Sequence, residues 1–210
     1  MTRRTKEDAL ITRNKLLDAA ELAFFEKGVS RTTLADIAQR AGLTRGAIYW
    51  HFKHKSNLFD AMLERVQLPI DELKAIPGRW RINPTLKLRK ILVECVLDVS
   101  RDPQLNRVFS ILLLKCEYTR DMGPMLLLTQ RSTTETLEQI QQILIAAVAK
   151  QQLPEKLDTW RSALMLHSSV YGFIRDMLML PDTIDAEKHA KKLVDGCIDM
   201  LRYSRAMRKN

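Results

Sequence analysis

Apolar residues recur along this chain at intervals of three and four, and the pattern breaks mainly where Gly or Pro stands. Such spacing marks amphipathic helices and predicts an all-α chain of about nine of them. The first is expected over Glu7–Lys27, with Leu16, Leu17, Ala20 and Phe24 inward and Gly28 ending it. A fourth should begin near Ser56 and continue to about Leu73, kinked or shortened by Pro69. Later helices are expected at Thr85–Ser100, Pro103–Cys116, Met125–Gln151, Asp158–Leu180 and Ala186–Tyr203. A Pro- and Gly-bearing stretch, Ile76-Pro77-Gly78-Arg79-Trp80, marks a linker between two domains.

The two short helices between the first and fourth carry the most information. Thr33 can cap the second helix, and Leu34, Ile37, Ala38 and Ala41 follow at i, i+3, i+4 and i+7 on one face. Asp36, Gln39 and Arg40 take the other side. Gly42 suits the left-handed backbone that ends a helix, and Leu43 should tuck inward. Thr44 can cap the third helix, whose apolar Ile48 and Phe52 lie one turn apart. Thr44, Arg45, Gly46, Tyr49 and His51 are then left near the outer face.

An interior helix rarely carries Thr, Arg, Tyr and His on one short turn, so a plain helical hairpin at the edge of a core explains this segment poorly. The layout is that of a helix-turn-helix, with motif at 33–52, whose second helix enters the major groove of DNA. Small Gly46 and Ala47 let the backbone sit close to base edges, and Arg45 can donate to guanine O6 and N7. Tyr49, His51, Lys53 and Lys55 are candidates for the phosphates, the last two flanking a helix start near Ser56, and Thr33 is a further DNA-binding candidate. Trp50 is balanced between core anchor and phosphate contact, and His54 is expected in solvent.

Charge sharpens this picture. The net charge is +9. Residues 1–58 hold 11 Lys and Arg against 6 Asp and Glu, whereas residues 59–200 hold 19 of each. The excess therefore sits beside the motif and in the final ten residues, where Arg202, Arg205, Arg208 and Lys209 stand without an acid. A basic face next to a groove-reading helix gives sequence-independent, salt-dependent attraction to phosphate. The tail itself is expected to fray. Cys95, Cys116 and Cys197 are widely spaced in apolar helical patterns, which fits free buried thiols in a reducing cytoplasm better than disulfides or zinc. No apolar run of 18 residues predicts a membrane span, and no apolar segment at the N-terminus predicts a signal peptide.

Thr-Thr-Leu-Ala-Asp-Ile-Ala-x-x-Ala-Gly (32–42) followed by Gly-Ala-Ile-Tyr-Trp-His-Phe-Lys-x-Lys (46–55) resembles the signature of TetR/AcrR-family transcriptional repressors. The N-terminal Arg-Arg-Thr-Lys-Glu-Asp-Ala and Thr12-Arg13 are similar to the family's multidrug-efflux branch. So, more loosely, are Leu114-Lys115-Cys116-Glu117-Tyr118-Thr119, Gln152-Leu153-Pro154 and Leu180-Pro181-Asp182. The resemblance implies a DNA-binding domain at 1–55 and a ligand-binding and dimerisation domain at 56–210. It implies a homodimer through the last two helices, double-stranded operator DNA as partner, and a hydrophobic or drug-like inducer that releases the operator of an efflux-pump operon. A family regulator of other genes that senses a metabolite is the alternative.

The last two helices are apolar on more than one face, which requires burial against the chain's own core and against a cavity or second subunit. In the eighth, Trp160, Leu164, His167, Tyr171, Ile174 and Leu178 form one stripe. Ala163, Leu166, Val170, Phe173, Met177 and Leu180 form another. In the ninth the stripe is Ala190, Leu193, Val194, Cys197, Ile198 and Leu201. Nine methionines and Trp80 suit either an adaptable apolar cavity or ordinary core filling. The resemblance implies lining positions at Leu88, Ile91, Leu92, Cys95, Phe109, Leu113, Ile140, His167, Val170, Tyr171, Ile174 and Arg175. His167 and Arg175 would be its polar anchors, and a core histidine bonded to a carbonyl is the competing role for the first. Where a member of that branch has Asn, His and Asp, this chain has Phe109, Leu113 and Tyr171, so its cavity is expected to be more apolar or partly filled by aromatic rings.

Enzymatic function has little support. No phosphate loop, dinucleotide-binding Gly-rich turn, His-Glu-x-x-His or paired metal ligands occur in the sequence, so no cofactor, metal or catalytic residue is expected. Cys116 with His167 is the only nucleophile–base pair that can be constructed, and it lacks an orienting third group. An architectural DNA binder without sequence preference is the other competing class, distinguished by whether base contacts matter.

Overall fold

The computed structural model describes residues 6–66, 83–116 and 123–209, which contain nine α-helices. They are α1 (Lys6–Lys27), α2 (Leu34–Arg40), α3 (Arg45–His51), α4 (Lys55–Glu64), α5 (Pro84–Arg101), α6 (Pro103–Leu114), α7 (Gly123–Ala149), α8 (Thr159–Met179) and α9 (Ala186–Tyr203). The expected linker at 76–80, Trp80, the continuation of α4 past Pro69, residues 117–119 and the arginines at positions 3 and 4 lie outside the described residues.

The chain divides into two compact units, one from 1–66 and 104–128, the other from 67–103 and 129–210. In the first, Leu16, Leu17, Ala20 and Phe24 of α1 are fully buried, as their spacing predicts. Helix α1 packs on α2 and α4, and α2 on α3. The Phe24 and Phe59 rings meet tilted, 6.1 Å apart. Each large apolar side chain buried here contributes about 1.5–3 kcal/mol.

Two glycines turn the chain where only glycine is unstrained. Gly28 has φ +84°, and the loop it opens is held by the Val29 N–H, which donates to the Lys115 carbonyl at 3.0 Å. Gly42, with φ +66°, ends α2 as expected: its N–H reaches the Gln39 carbonyl and the Leu43 N–H reaches Ala38.

One carboxylate organises the underside of this unit. Glu21 on α1 is buried, its side chain only 4% exposed, and it accepts from three donors. Arg65, just past α4, reaches it at 3.0 Å, while Arg107 and Gln104 on α6 reach it at 2.7 and 3.1 Å. Nothing in helical periodicity points to this knot.

In the second unit α5, α8 and α9 pack on one another. Two guanidinium forks join α5 to α9. Arg89 grips both carboxylate oxygens of Asp195, and Arg101 grips Glu187 at 2.5 and 2.8 Å. Helix α7 buries Leu137, Ile140, Ile143, Leu144 and Ala147.

The tail is not frayed through Lys209. The Lys209 N–H donates to the Lys156 carbonyl and the Asp158 N–H to Met207, both at 2.8 Å, so residues 207–209 lie antiparallel to 156–158. Arg208 donates to the carbonyls of Leu201 and Arg202 at the end of α9, where free carbonyls and the helix dipole favour a cation. Arg161 on α8 donates to the carbonyls of Ala206 and Arg208. Composition could not show that one tail arginine is used internally.

Candidate nucleic-acid interface

The caps of α2 and α3, the left-handed Gly42 between them and the buried Ile48 and Phe52 turn the polar face of this segment outward. Thr33 caps α2, its hydroxyl accepting from the Asp36 N–H at 3.1 Å. The Asp36 carboxylate takes the Thr33 N–H at 2.9 Å and the Thr33 hydroxyl at 2.8 Å, a reciprocal capping box. The Thr33 backbone N–H, followed by its hydroxyl, holds the Asp36 carboxyl below its ordinary pKa. Thr-x-x-Asp spacing is the signal for this, whereas helical phase alone places Asp36 only on the outer side of the helix.

Thr44 caps α3 as expected, its hydroxyl accepting from the Ala47 N–H at 3.2 Å. Ile48 and Phe52 are buried, which turns the opposite face of α3 outward. Thr33, Thr44, Arg45, Gly46, Tyr49 and Lys53 are exposed, and Ala47 and His51 are half-buried. The Arg45 guanidinium lies over the Tyr49 ring, 5.5 Å from its centre, so the two side chains stand together on one turn. Trp50 is 72% exposed, with its ring edge-on to His51 at 4.5 Å, which excludes a role as core anchor. His54 is exposed, as expected.

Lys55 is placed differently from its neighbours. It is half-buried, and its ammonium donates to the carbonyls of Val29, Ser30 and Thr32 at 2.7, 3.1 and 3.0 Å. This group is directed into the loop between α1 and α2, rather than outward like Lys53.

The expected ligand positions fall in both units. Phe109, buried, and Leu113, half-buried, belong to α6 in the first. In the second, Leu88, Ile91, Leu92 and Cys95 of α5, Ile140 of α7 and Val170 and Ile174 of α8 are buried. His167 and Tyr171 are half-buried and stack at 5.5 Å with their planes 19° apart. Burial lowers the His167 pKa, which keeps its ring neutral near pH 7. Arg175 stands apart, exposed and paired with neighbouring Asp176 at 3.3 Å. A cleft of about 400 Å³ lies elsewhere in the unit, lined by Asn83, Thr85, Leu86, Arg89, Asp195, Ile198, Asp199 and Arg202. It shares no position with the expected lining.

The outer faces of α8 and α9 carry apolar side chains among charged ones such as Arg175, Lys192 and Arg202. Trp160, Leu164 and Met179 on α8, and Met200 and Tyr203 on α9, are exposed large side chains. Gly172 and Gly196 lie on these helices, and among the described residues a Cβ added at either would meet nothing within 4 Å. Of the expected α8 stripes, Ala163, Leu166, Val170, Ile174 and Met177 are buried, while Trp160, Leu164 and Leu180 are not. Cys95 and Cys197 are buried and Cys116 is half-buried, and none of the three is in a disulfide. Burial raises the Cys197 pKa, opposed by a hydrogen bond with Ser169. Among the described residues no cluster of three metal-ligating side chains occurs, and no helix is long and apolar enough to cross a membrane.

Comparison with known proteins agrees with this geometry. Residues 16–62 match the model for bacterial regulatory proteins of the tetR family. Residues 83–203 match that for the C-terminal region of MAATS-type transcriptional repressors. The HTH-type transcriptional regulator TtgR of Pseudomonas putida is 42% identical over 210 residues, all of both chains. Among solved structures, NalD, the secondary repressor of the MexAB-OprM multidrug efflux pump in Pseudomonas aeruginosa, superposes with a TM-score of 0.80. It is 30% identical, over 95% of this chain and 100% of that one. SmeT, the repressor of the Stenotrophomonas maltophilia pump SmeDEF, is 34% identical in its triclosan complex, with a TM-score of 0.81 over 93% of each chain. With both its regions matched and relatives aligned end to end, the chain belongs to the TetR family and is a transcriptional repressor whose close relatives regulate multidrug efflux pumps.

Proposed function

We propose that this repressor controls a multidrug efflux operon, binding its operator as a homodimer and leaving it when an apolar, drug-like molecule enters the second unit. The observation that carries the reading is the outer face of α3. Arg45 stacked on Tyr49, with Thr44, Gly46, Ala47, Trp50, His51 and Lys53 around them, stands over a buried Ile48 and Phe52. In this reading Arg45 reads base edges, and Thr33, Tyr49, Trp50, His51 and Lys53 meet phosphates.

One such helix reads only a few base pairs. Two-fold pairing supplies a second copy, about 34–36 Å or a multiple of that along the duplex. The exposed Trp160, Leu164, Met179, Met200 and Tyr203 provide the apolar contact. Glycine in a helix interior costs about 1 kcal/mol relative to alanine, and among the described residues nothing crowds Gly172 or Gly196 to justify it. A second copy packed closely against α8 and α9 would.

The ligand wall we assign is Leu88, Ile91, Leu92 and Cys95 with Ile140, Val170 and Ile174, and His167 stacked on Tyr171 as the polar anchor. Release requires the ligand to favour the arrangement that does not fit DNA, because equal affinity for both shifts nothing. The test begins with enrichment of a duplex from a random-sequence pool by the purified protein. Triclosan, which the SmeT structure holds, is then titrated into the complex. Enrichment of a palindromic site and its release by triclosan or another apolar aromatic compound are expected. Equal affinity for enriched and random duplexes at moderate salt would refute the reading.

A further inference from the structure

We propose that Lys55 is a positioning residue for DNA reading: its ammonium clamps the loop between α1 and α2, fixing Thr33 and the recognition helix rather than neutralising a phosphate. The inference rests on the operator-binding role above and gives a single basic residue a different task within it.

A lysine ammonium has three donors, and here three backbone carbonyls take them. Val29, Ser30 and Thr32 converge on Lys55 Nζ at 2.7, 3.1 and 3.0 Å. All three belong to the loop that leaves α1 at Gly28 and enters α2 at Thr33, whereas Lys55 is the first residue of α4. The contact therefore spans 23 to 26 residues of sequence and ties the start of α4 to the start of α2, with α3 between them.

The rest of the loop is anchored on its other side. The Thr32 hydroxyl donates to Gly28 at 2.7 Å and to Ala23 at 3.3 Å, and the Val29 N–H reaches Lys115. Lys115 in turn lies over the Phe25 ring and donates to the Phe25 carbonyl. The Lys55 ammonium supplies the tie from the DNA-facing helices. Immediately after the clamped carbonyls comes Thr33, whose capping box sets the direction of α2 and, through Gly42, of α3. To meet a phosphate through its side chain, Lys55 would have to give up three bonds to part-buried carbonyls, of which the Val29 oxygen keeps a longer bond from the Thr32 N–H at 3.4 Å.

Charge and geometry separate the two roles. Two variants of the full-length protein are compared with wild type: Lys55→Met removes the ammonium, and Lys55→Arg keeps the charge but replaces its tripod with a planar fork. Affinities for the duplex enriched by wild-type protein and for a scrambled duplex are measured across a series of KCl concentrations, with Lys53→Met as comparator. The clamp predicts that both Lys55 variants lose about tenfold or more of the discrimination between the duplexes. It also predicts that the slope of log affinity against log salt stays at the wild-type value. Lys53→Met should flatten that slope by about 0.9 per subunit. The inference is overturned when Lys55→Met flattens the slope equally, or when Lys55→Arg binds as wild type does.

Hydrogen exchange on the free proteins gives a readout independent of DNA. Amides of residues 32–37 should exchange about tenfold faster or more in both Lys55 variants, with α8 and α9 unaltered, and unchanged exchange at those amides refutes the clamp. Failure of wild-type protein to enrich any duplex would sink the operator reading, while the exchange experiment still decides the clamp.

Discussion

Replacing Glu21 by Ala tests whether its carboxylate holds the first unit together. The substitution removes a buried anion that accepts from Arg65, Arg107 and Gln104 and leaves those donors without it. Breaking a buried ion pair by removing one partner costs about 3–5 kcal/mol when the remaining charge stays dry. Here the remaining charges are not fully dry, because the Arg65 and Arg107 side chains are 23% and 32% exposed and Arg65 keeps a second bridge to Asp18. Partial rehydration lowers the expected loss to about 2–3 kcal/mol. For a chain of this length that is a fall in melting temperature of about 5–10 °C. Glu21→Gln keeps an acceptor of the same shape and should lose about half as much. Urea denaturation followed by circular dichroism measures the loss as a lower midpoint at unchanged slope. In the double variant Glu21→Ala/Arg107→Ala, the second change should cost far less than it does alone, because the partner is already gone. A loss below about 0.5 kcal/mol for Glu21→Ala, or strict additivity in the double variant, would refute a coupled knot.

Arg45→Ala should weaken binding to the enriched duplex by about 1–3 kcal/mol per subunit while affecting a scrambled duplex less, as read by competition titrations. Leu164→Arg places a charge on an α8 face that is 47% exposed in the lone chain, and sedimentation should show monomers whose melting is little changed. Burial depresses the His167 pKa, so the unfolded chain takes up its proton first. The neutral ring's contribution is complete above the unfolded value of about 6.5 and falls as pH drops toward the folded value. His167→Gln should therefore flatten the stability–pH curve below about pH 6.5, measured by denaturation at a series of pH values.

Much of the fold is legible in the sequence because it rests on local periodicity. Leu16, Leu17, Ala20 and Phe24, then Leu34, Ile37 and Ala38, are buried where a three-and-four spacing puts them, and Gly28 and Gly42 carry the positive φ that their positions require. The outward face of α3 is readable for the same reason, since fixing Ile48 and Phe52 inside leaves Arg45 and Tyr49 outside. Long-range polar pairing leaves no such trace. Lys55 and Lys53 look alike two positions apart, yet one is turned into a loop some 25 residues away and the other faces water. Glu21 reads as an ordinary helical acid until α6 and the end of α4 bring two arginines to it. Arg175 aligns with a cavity position by resemblance, but the helical phase of α8 puts it on the exposed side with Ser168 and Met179. Resemblance carries position along the chain; rotation about the helix axis must come from the coordinates.

The stitched C-terminal segment has a practical consequence for anyone handling this protein. Residues 207–209 link the approach to α8 with the last turn of α9, the same two helices whose bare outer faces we assign to a second copy. Anything that pulls on that stitch, whether an affinity handle, a surface linkage or trimming by a carboxypeptidase, acts directly on the start of α8 and the end of α9. Binding curves collected on protein immobilised by that end would report a disturbed α8 and α9, even though helices α2 and α3 lie far away in the sequence.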